Sequence, residues 1–230
     1  MKTIIAFLLS ELILLPLITG LIRLRRIGKG YRPFFALLVI GSVTEIVSVI
    51  LIKGFHHSNA IPINIYILLE WTLIALQFHI WGFLGQRKKV FYILLAVTVL
   101  LWCVENLVFG KITEFSPYFR LFYSFLIVLL SVNKINYMIT HDNRNLIRNP
   151  SFLICIGFII YFLYMIIYRW AYQVSLYGKS DISNKIIFFM AYVNALTNVI
   201  FAIALLLIPA PVKFTLRKVS EEGEGSNFDR

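Results

Sequence analysis

The chain is 230 residues long, 60% hydrophobic and 14% charged, with a mean hydropathy of +0.82 and a formal net charge of +11. A water-soluble domain is roughly 45–50% apolar and about 25% charged, so no soluble domain fits. The Lys and Arg residues sit mostly at the ends of apolar blocks, where they orient a membrane protein, and this placement argues against binding nucleic acid.

The apolar blocks are about 20 residues long, the length that crosses a ~30 Å hydrocarbon core as a helix. They do not alternate with period two, as a transmembrane barrel would. The expected fold is therefore all-α, a polytopic seven-transmembrane-helix bundle. It takes up residues 1–208, followed by a short cytoplasmic tail, 209–230, expected to be disordered. The spans are 3–22, 33–53, 62–83, 90–109, 117–136, 151–170 and 186–208. Gly28, Gly30 and Pro33 punctuate the first break, Gly54 and Pro62 the next, and Gly110 and Pro117 the fourth, while Pro150 opens span six. The first span is expected to be an uncleaved helix rather than a signal peptide. Glu11 interrupts it, no small-x-small cleavage site follows, and its strong positive charge comes after the apolar run.

One side of the membrane collects fourteen basic residues: Arg23, Arg25, Arg26, Lys29, Arg32, Arg87, Lys88, Lys89, Lys134, Arg144, Arg148, Lys213, Arg217 and Lys218. The other collects six, Lys2, Lys53, Lys111, Arg169, Lys179 and Lys185. The richer side is cytoplasmic, which puts the N-terminus outside and the C-terminus inside, as a multi-pass protein of the inner membrane. Trp170, with Tyr168 and Tyr172, then marks the outer end of span six, and Trp81 the inner end of span three. Spans one to three and five to seven share no motif, so a repeat-built sugar-transporter architecture is not expected.

Span three carries a carboxylate, Glu70, well inside its apolar run, where a charge is costly and marks a functional hypothesis. At ~1.5 Å rise per residue, Glu11, Glu45 and Glu70 on three consecutive spans all lie ~12 Å below the outer end. Asn194 on span seven lies at ~12–13 Å with Asn198 a turn deeper, and Tyr161 and Tyr164 on span six lie at ~9–14 Å. Tyr66 and Glu70 share a helix face, as do Asn194 with Asn198 and Tyr161 with Tyr164. Lipid offers no partner to an amide or carboxylate, so these stripes face the bundle interior. Glu11, Glu45, Tyr66, Glu70, Tyr161, Tyr164, Asn194 and Asn198 are accordingly the candidate ligand-binding residues of an outward-facing polar pocket. Glu45 and Glu70, if close, must share a proton or take up a cation. Asn198, Gln77 and Ser48 also suit hydrogen-bond glue between helices. A shallower pair, Glu105 at ~6 Å and Arg120 at ~5 Å, reads as a structural ion pair, with Tyr123 and Ser124 continuing the Arg120 neighbourhood inward.

No catalytic residue, cofactor or metal is nominated. His56 and His57 are adjacent in a loop, His79 and His141 lie near the inner face, and no His-x-x-x-His pair suits zinc, which argues against ceramidase-like hydrolases. Neither Gly-x-Ser-x-Gly nor an interior Lys for a retinal Schiff base is present. Cys103 and Cys155 fall toward opposite faces, so no disulfide is expected.

Asn64-x-Tyr66 followed by Glu70-Trp71 resembles the third span of small, uncharacterised seven-helix proteins common in Bacteroidota. Asn149-Pro150-Ser151-Phe152 leading to Tyr161, and the Asn-bearing span seven, are similar too, whereas Phe162-Leu163 replaces a Ser-Gly pair. The resemblance implies fold and localisation but no activity. The expected function is that of a receptor-like sensor, binding a small ligand or cation and acting through a cytoplasmic signalling partner. A small proton- or cation-coupled transporter using Glu45 and Glu70 is the alternative, and a lipid-modifying membrane enzyme the third class.

Overall fold

The computed structural model describes residues 11–82, 88–141, 145–177 and 181–209, and no strand occurs among them. A 3-10 turn, Glu11–Ile13, leads into α1, Leu14–Ile22. Turns at Leu24–Arg26 and Lys29–Tyr31 carry the chain to α2, Arg32–Val49, which runs on as a π turn over Ile50–Gly54. α3 is Ala60–Ile80. α4, Lys88–Cys103, also ends in a π segment, Val104–Phe109. α5 is Pro117–His141, α6 is Pro150–Tyr177 and α7 is Asp181–Leu207.

Proline opens α5 and α6 and lies in the first turn of α2, positions where its missing N–H would have had no helical partner. α3 leaves through Gly82, whose φ of 79° suits glycine, while the Trp81 and Gly82 amides close the last turn on Gln77 and His79 carbonyls. Six helices, α2 to α7, are long and apolar enough to cross a membrane, as in a multi-pass membrane protein. Predicted spans two to seven each correspond to one of them. α5 and α6 run past the predicted ends at 136 and 170, and α7 starts before 186. Predicted span one begins outside the described residues, and so does all of the predicted tail beyond Pro209.

α3 is the centre of the bundle, packed by α2, α4 and α5, and it has the largest buried share of any span. α6 packs between α5 and α7, and α1 closes the ring against α7 and α2. α4 lies outermost and is held to α3 by two indoles: Trp71 Nε1 donates to Thr98 Oγ1 at 2.7 Å, and Trp102 Nε1 to the Asn64 carbonyl at 2.9 Å. Exposed Ile46, Ile93, Leu100, Phe125, Leu129 and Ile167 form the kind of apolar surface that lipid covers. Cys103 and Cys155 are both free thiols.

Lipid removes the hydrophobic drive between helices, so contact quality must hold them. A Cβ on Gly157 of α6 would lie 2.4 Å from the Phe201 ring of α7, and one on Gly20 of α1 would lie 2.4 Å from the Phe35 ring of α2. These glycines let aromatic rings sit directly on the neighbouring backbone. Phe34, Phe158 and Phe201 then meet edge to face, with centroids 5.1–6.0 Å apart, and Phe78 lies 6.3 Å from Phe158.

Candidate functional site

α3 carries three buried polar side chains, Asn64, Glu70 and Gln77, spaced six and seven residues apart, or ~9–10 Å along the axis. Each meets a different part of the bundle.

Asn64 binds the connection between α4 and α5. Its amide donates to the Ile112 and Glu114 carbonyls at 2.9 and 2.6 Å, and its Oδ1 accepts the Ser116 N–H at 3.3 Å. This fixes the start of α5 level with Asn64. α3 and α5 run the same way, so Glu70, six residues on from Asn64, comes level with Tyr123, six residues on from Pro117. At the other end, Gln77 Oε1 accepts the Phe34 N–H at 2.9 Å, and its Nε2 donates to the Gly30 carbonyl at 2.5 Å. It thereby caps α2, whose first amides have no helical partner. Gln77 is the inter-helix glue expected of it.

Glu70 is 4% exposed and has ten residues of α3 on either side, ~15 Å from each end. That is the middle of a ~30 Å core and deeper than the sequence count, because α3 begins at Ala60. Asn194 is likewise at mid-helix, with thirteen residues of α7 on either side. The Tyr66 hydroxyl, one turn earlier, donates to Glu70 Oε1 at 3.1 Å, and the Tyr123 hydroxyl makes a short bond to Oε2. The Arg120 guanidinium acts electrostatically on the same carboxylate and on Tyr161 of α6. A cation and two hydroxyls thus offset the cost of burying this charge.

The other side of Glu70 faces a cavity of about 60 Å³ between α2, α3, α6 and α7. Its polar wall is Tyr66, Glu70, Tyr161, Asn194, Thr197 and Asn198. Asn198 Nδ2 donates to Asn194 Oδ1 at 3.3 Å, and Thr197 Oγ1 is buried without a hydrogen-bond partner. Gly41 makes room here, since a Cβ there would stand 3.2 Å from the Tyr66 hydroxyl. Ile74, Phe158 and Phe201 bound the cavity on the side of Gln77. Behind them lie Phe34, whose amide is on Gln77, and Phe78, so an aromatic floor separates the cavity from the Gln77 layer. The volume holds a few water molecules or a small ion, against the ~300–1,000 Å³ of an organic-ligand pocket.

Five of the candidate residues therefore share one cavity: Tyr66, Glu70, Tyr161, Asn194 and Asn198. Tyr164 is turned away, donating to the Ile186 carbonyl at 2.8 Å across the α6–α7 interface. Glu45 is exposed on α2 and is not part of the cavity wall, although its charge acts on Tyr161. It does not face Glu70 across a shared site. The Glu11 side chain lies outside the described residues. Glu105 and Arg120, expected to pair, have different partners. The two Glu105 oxygens accept the Tyr118 and Phe119 amides at 3.0 and 2.5 Å and cap α5, while the charge of Arg120 acts on Tyr123, Tyr161 and Glu70. A carboxylate on a helix N-terminus is favoured by the helix dipole, and that competes with the ion pair.

No family model, curated protein or solved structure matches the chain. Among the described residues, no group of three or more His, Cys, Asp or Glu side chains is arranged to hold a metal ion. Two residues of the site, Tyr123 and Thr197, and Arg169 outside it are not among the sequence candidates. Tyr123 had been noted only as a neighbour of Arg120. Thr197 falls between Asn194 and Asn198 on the same face, a signal the spacing already carried. Arg169 had been counted as a loop charge, but α6 continues eight residues beyond it.

Proposed function

We propose that the protein is a seven-span inner-membrane module, N-terminus outside, that senses a small polar ligand in the Glu70 cavity and signals through a cytoplasmic partner. The observation that carries this reading is the aromatic floor. A polar cavity ending on Phe158 and Phe201, with Phe34 and Phe78 behind, is a dead end rather than a path. Its size points to a monovalent cation, a proton carried on Glu70, or a few ordered waters. Membership in the small seven-helix family that the Asn64-x-Tyr66 motif resembles belongs to the same proposal. It is supported by the bond from Tyr66 to Glu70 within that motif.

One observation favours a carrier as the second reading. Glu70 and Asn194 stand at the midpoints of their helices, and coupling-ion sites of carriers lie near the bilayer midplane. Proteoliposomes separate the two. A sensor passes no H⁺ or Na⁺ down an imposed gradient, while its melting temperature responds to pH or to Na⁺ and loses that response in Glu70→Gln. Cation flux that disappears in Glu70→Gln would reject the sensor and establish the carrier.

A further inference from the structure

Arg169 stands on α6 inside the apolar segment Pro150–Gln173, four residues, or ~6 Å, from its end. An arginine at such a depth needs a partner. The groups that act on it most strongly are the like-charged Arg120 and then Tyr168, Tyr123 and Tyr161. Glu70 is engaged by Arg120 and two tyrosine hydroxyls, and Glu45, which acts on Tyr161, is not among the groups that act most on Arg169. The Nε atoms of both Arg120 and Arg169 are buried without a hydrogen-bond partner. The Arg169 guanidinium lies 6.0 Å from the Tyr168 ring centroid, a contact that orients the side chain but brings no negative charge.

A guanidinium whose Nε is buried without a hydrogen-bond partner, and whose ring contact supplies no counter-charge, matches an oxyanion. A guanidinium presents a planar fork that carboxylate or phosphate oxygens fill in pairs. We propose that Arg169 anchors an oxyanion-binding site at the α6 end of the bundle, separate from the Glu70 cavity, whose wall it does not join, and independent of its reading. The oxyanion has two possible sources. Arg169 is near enough to the segment end for its long side chain to reach a lipid headgroup phosphate, and a soluble carboxylate or phosphate would approach from the same end.

The test uses the full chain purified in a maltoside free of phospholipid. Melting temperature is measured in chloride, in acetate or inorganic phosphate at equal ionic strength, and in chloride with added phosphatidylglycerol. A rise of a few degrees in acetate or phosphate identifies a soluble oxyanion, and a rise only with phosphatidylglycerol identifies the headgroup. Arg169→Gln should abolish the rise, and Arg169→Lys should keep part of it, having charge without the fork. In chloride alone, Arg169→Gln should melt no lower than wild type, because it removes a like-charge contact. The proposal is overturned if no oxyanion raises the wild type above chloride. It is overturned equally if Arg169→Gln keeps the rise, or if that variant melts lower or fails to fold in chloride.

Discussion

The electrostatic interaction between Glu70 and Arg120 can be measured by a double-mutant cycle. Glu70→Gln keeps an acceptor oxygen for only one of the Tyr66 and Tyr123 hydroxyls, which sit on different carboxylate oxygens, and leaves the other facing an amide NH2, a loss of ~1–2 kcal/mol for the pair of contacts. The larger loss is Arg120 left in the bundle without its counter-charge, and breaking a buried pair from one side costs ~3–5 kcal/mol in soluble proteins. Membrane interactions run weaker, so we expect each single variant, Glu70→Gln and Arg120→Gln, to lose ~2–4 kcal/mol. The double variant has no unpaired charge and should lose about as much as one single variant, a coupling of ~2–4 kcal/mol. Equilibrium unfolding in mixed micelles with increasing SDS reads these values through tryptophan fluorescence. Trp71, whose ring lies 6.4 Å from Tyr123, reports from beside the pair. Losses that add to within ~0.5 kcal/mol would show that the two charges do not interact and would remove the basis for the buried cluster.

The two hydroxyls on Glu70 should differ. Tyr123→Phe, which breaks the short bond between fully buried partners, should cost ~1–2 kcal/mol, and Tyr66→Phe, beside the cavity, ~0.5 kcal/mol in the same assay. Gln77→Leu strands the Phe34 amide and the Gly30 carbonyl. It should cost ~2 kcal/mol and speed hydrogen exchange at Phe34 above its rate in wild type, whereas unchanged exchange would deny the cap. Gly157→Ala drives a methyl into a Phe201 ring that Phe34 and Phe158 hold in place. It should cost ~1–3 kcal/mol, and a fully stable variant would mean that the α6–α7 contact can slide.

Height in the membrane was legible in the sequence, and direction around each helix was legible only in part. Hydropathy blocks gave the positions of α2 to α7, and counting along them put Glu70, Tyr161 and Asn194 into one layer. The same count put Glu45 into that layer, but Glu45 is on the surface of α2, a turn past Gly41, which does line the cavity. Gly41, Glu45 and Ser48 follow at helical spacing on one face of α2, so what spacing alone does not give is how far along that face the neighbouring helices cover it. Glu105 and Arg120 were also matched in depth. What separates them is the capping of α5 by a carboxylate from the π segment of α4, and a π segment has no signal in apolar spacing. Arg169 looked like a loop charge because the apolar block fades near 170, while the helix itself continues to Tyr177.

The two outer of the three buried polar residues of α3 share a property with a genetic consequence. Asn64 and Gln77 bond to main-chain groups of residues 30, 34, 112, 114 and 116, never to their side chains. Every amino acid supplies a main-chain carbonyl, and all but proline supply the N–H. A saturation mutagenesis scan should therefore find positions 64 and 77 intolerant and their partner positions permissive as far as these bonds are concerned, with proline at 34 and 116 the sharp exception. Second-site suppressors of a lost Asn64 or Gln77 should not map to those partners, because no side chain there can be exchanged to restore the bond. Glu70 differs, being answered by side chains on α3 and α5, so compensating pairs should be confined to the middle of α3.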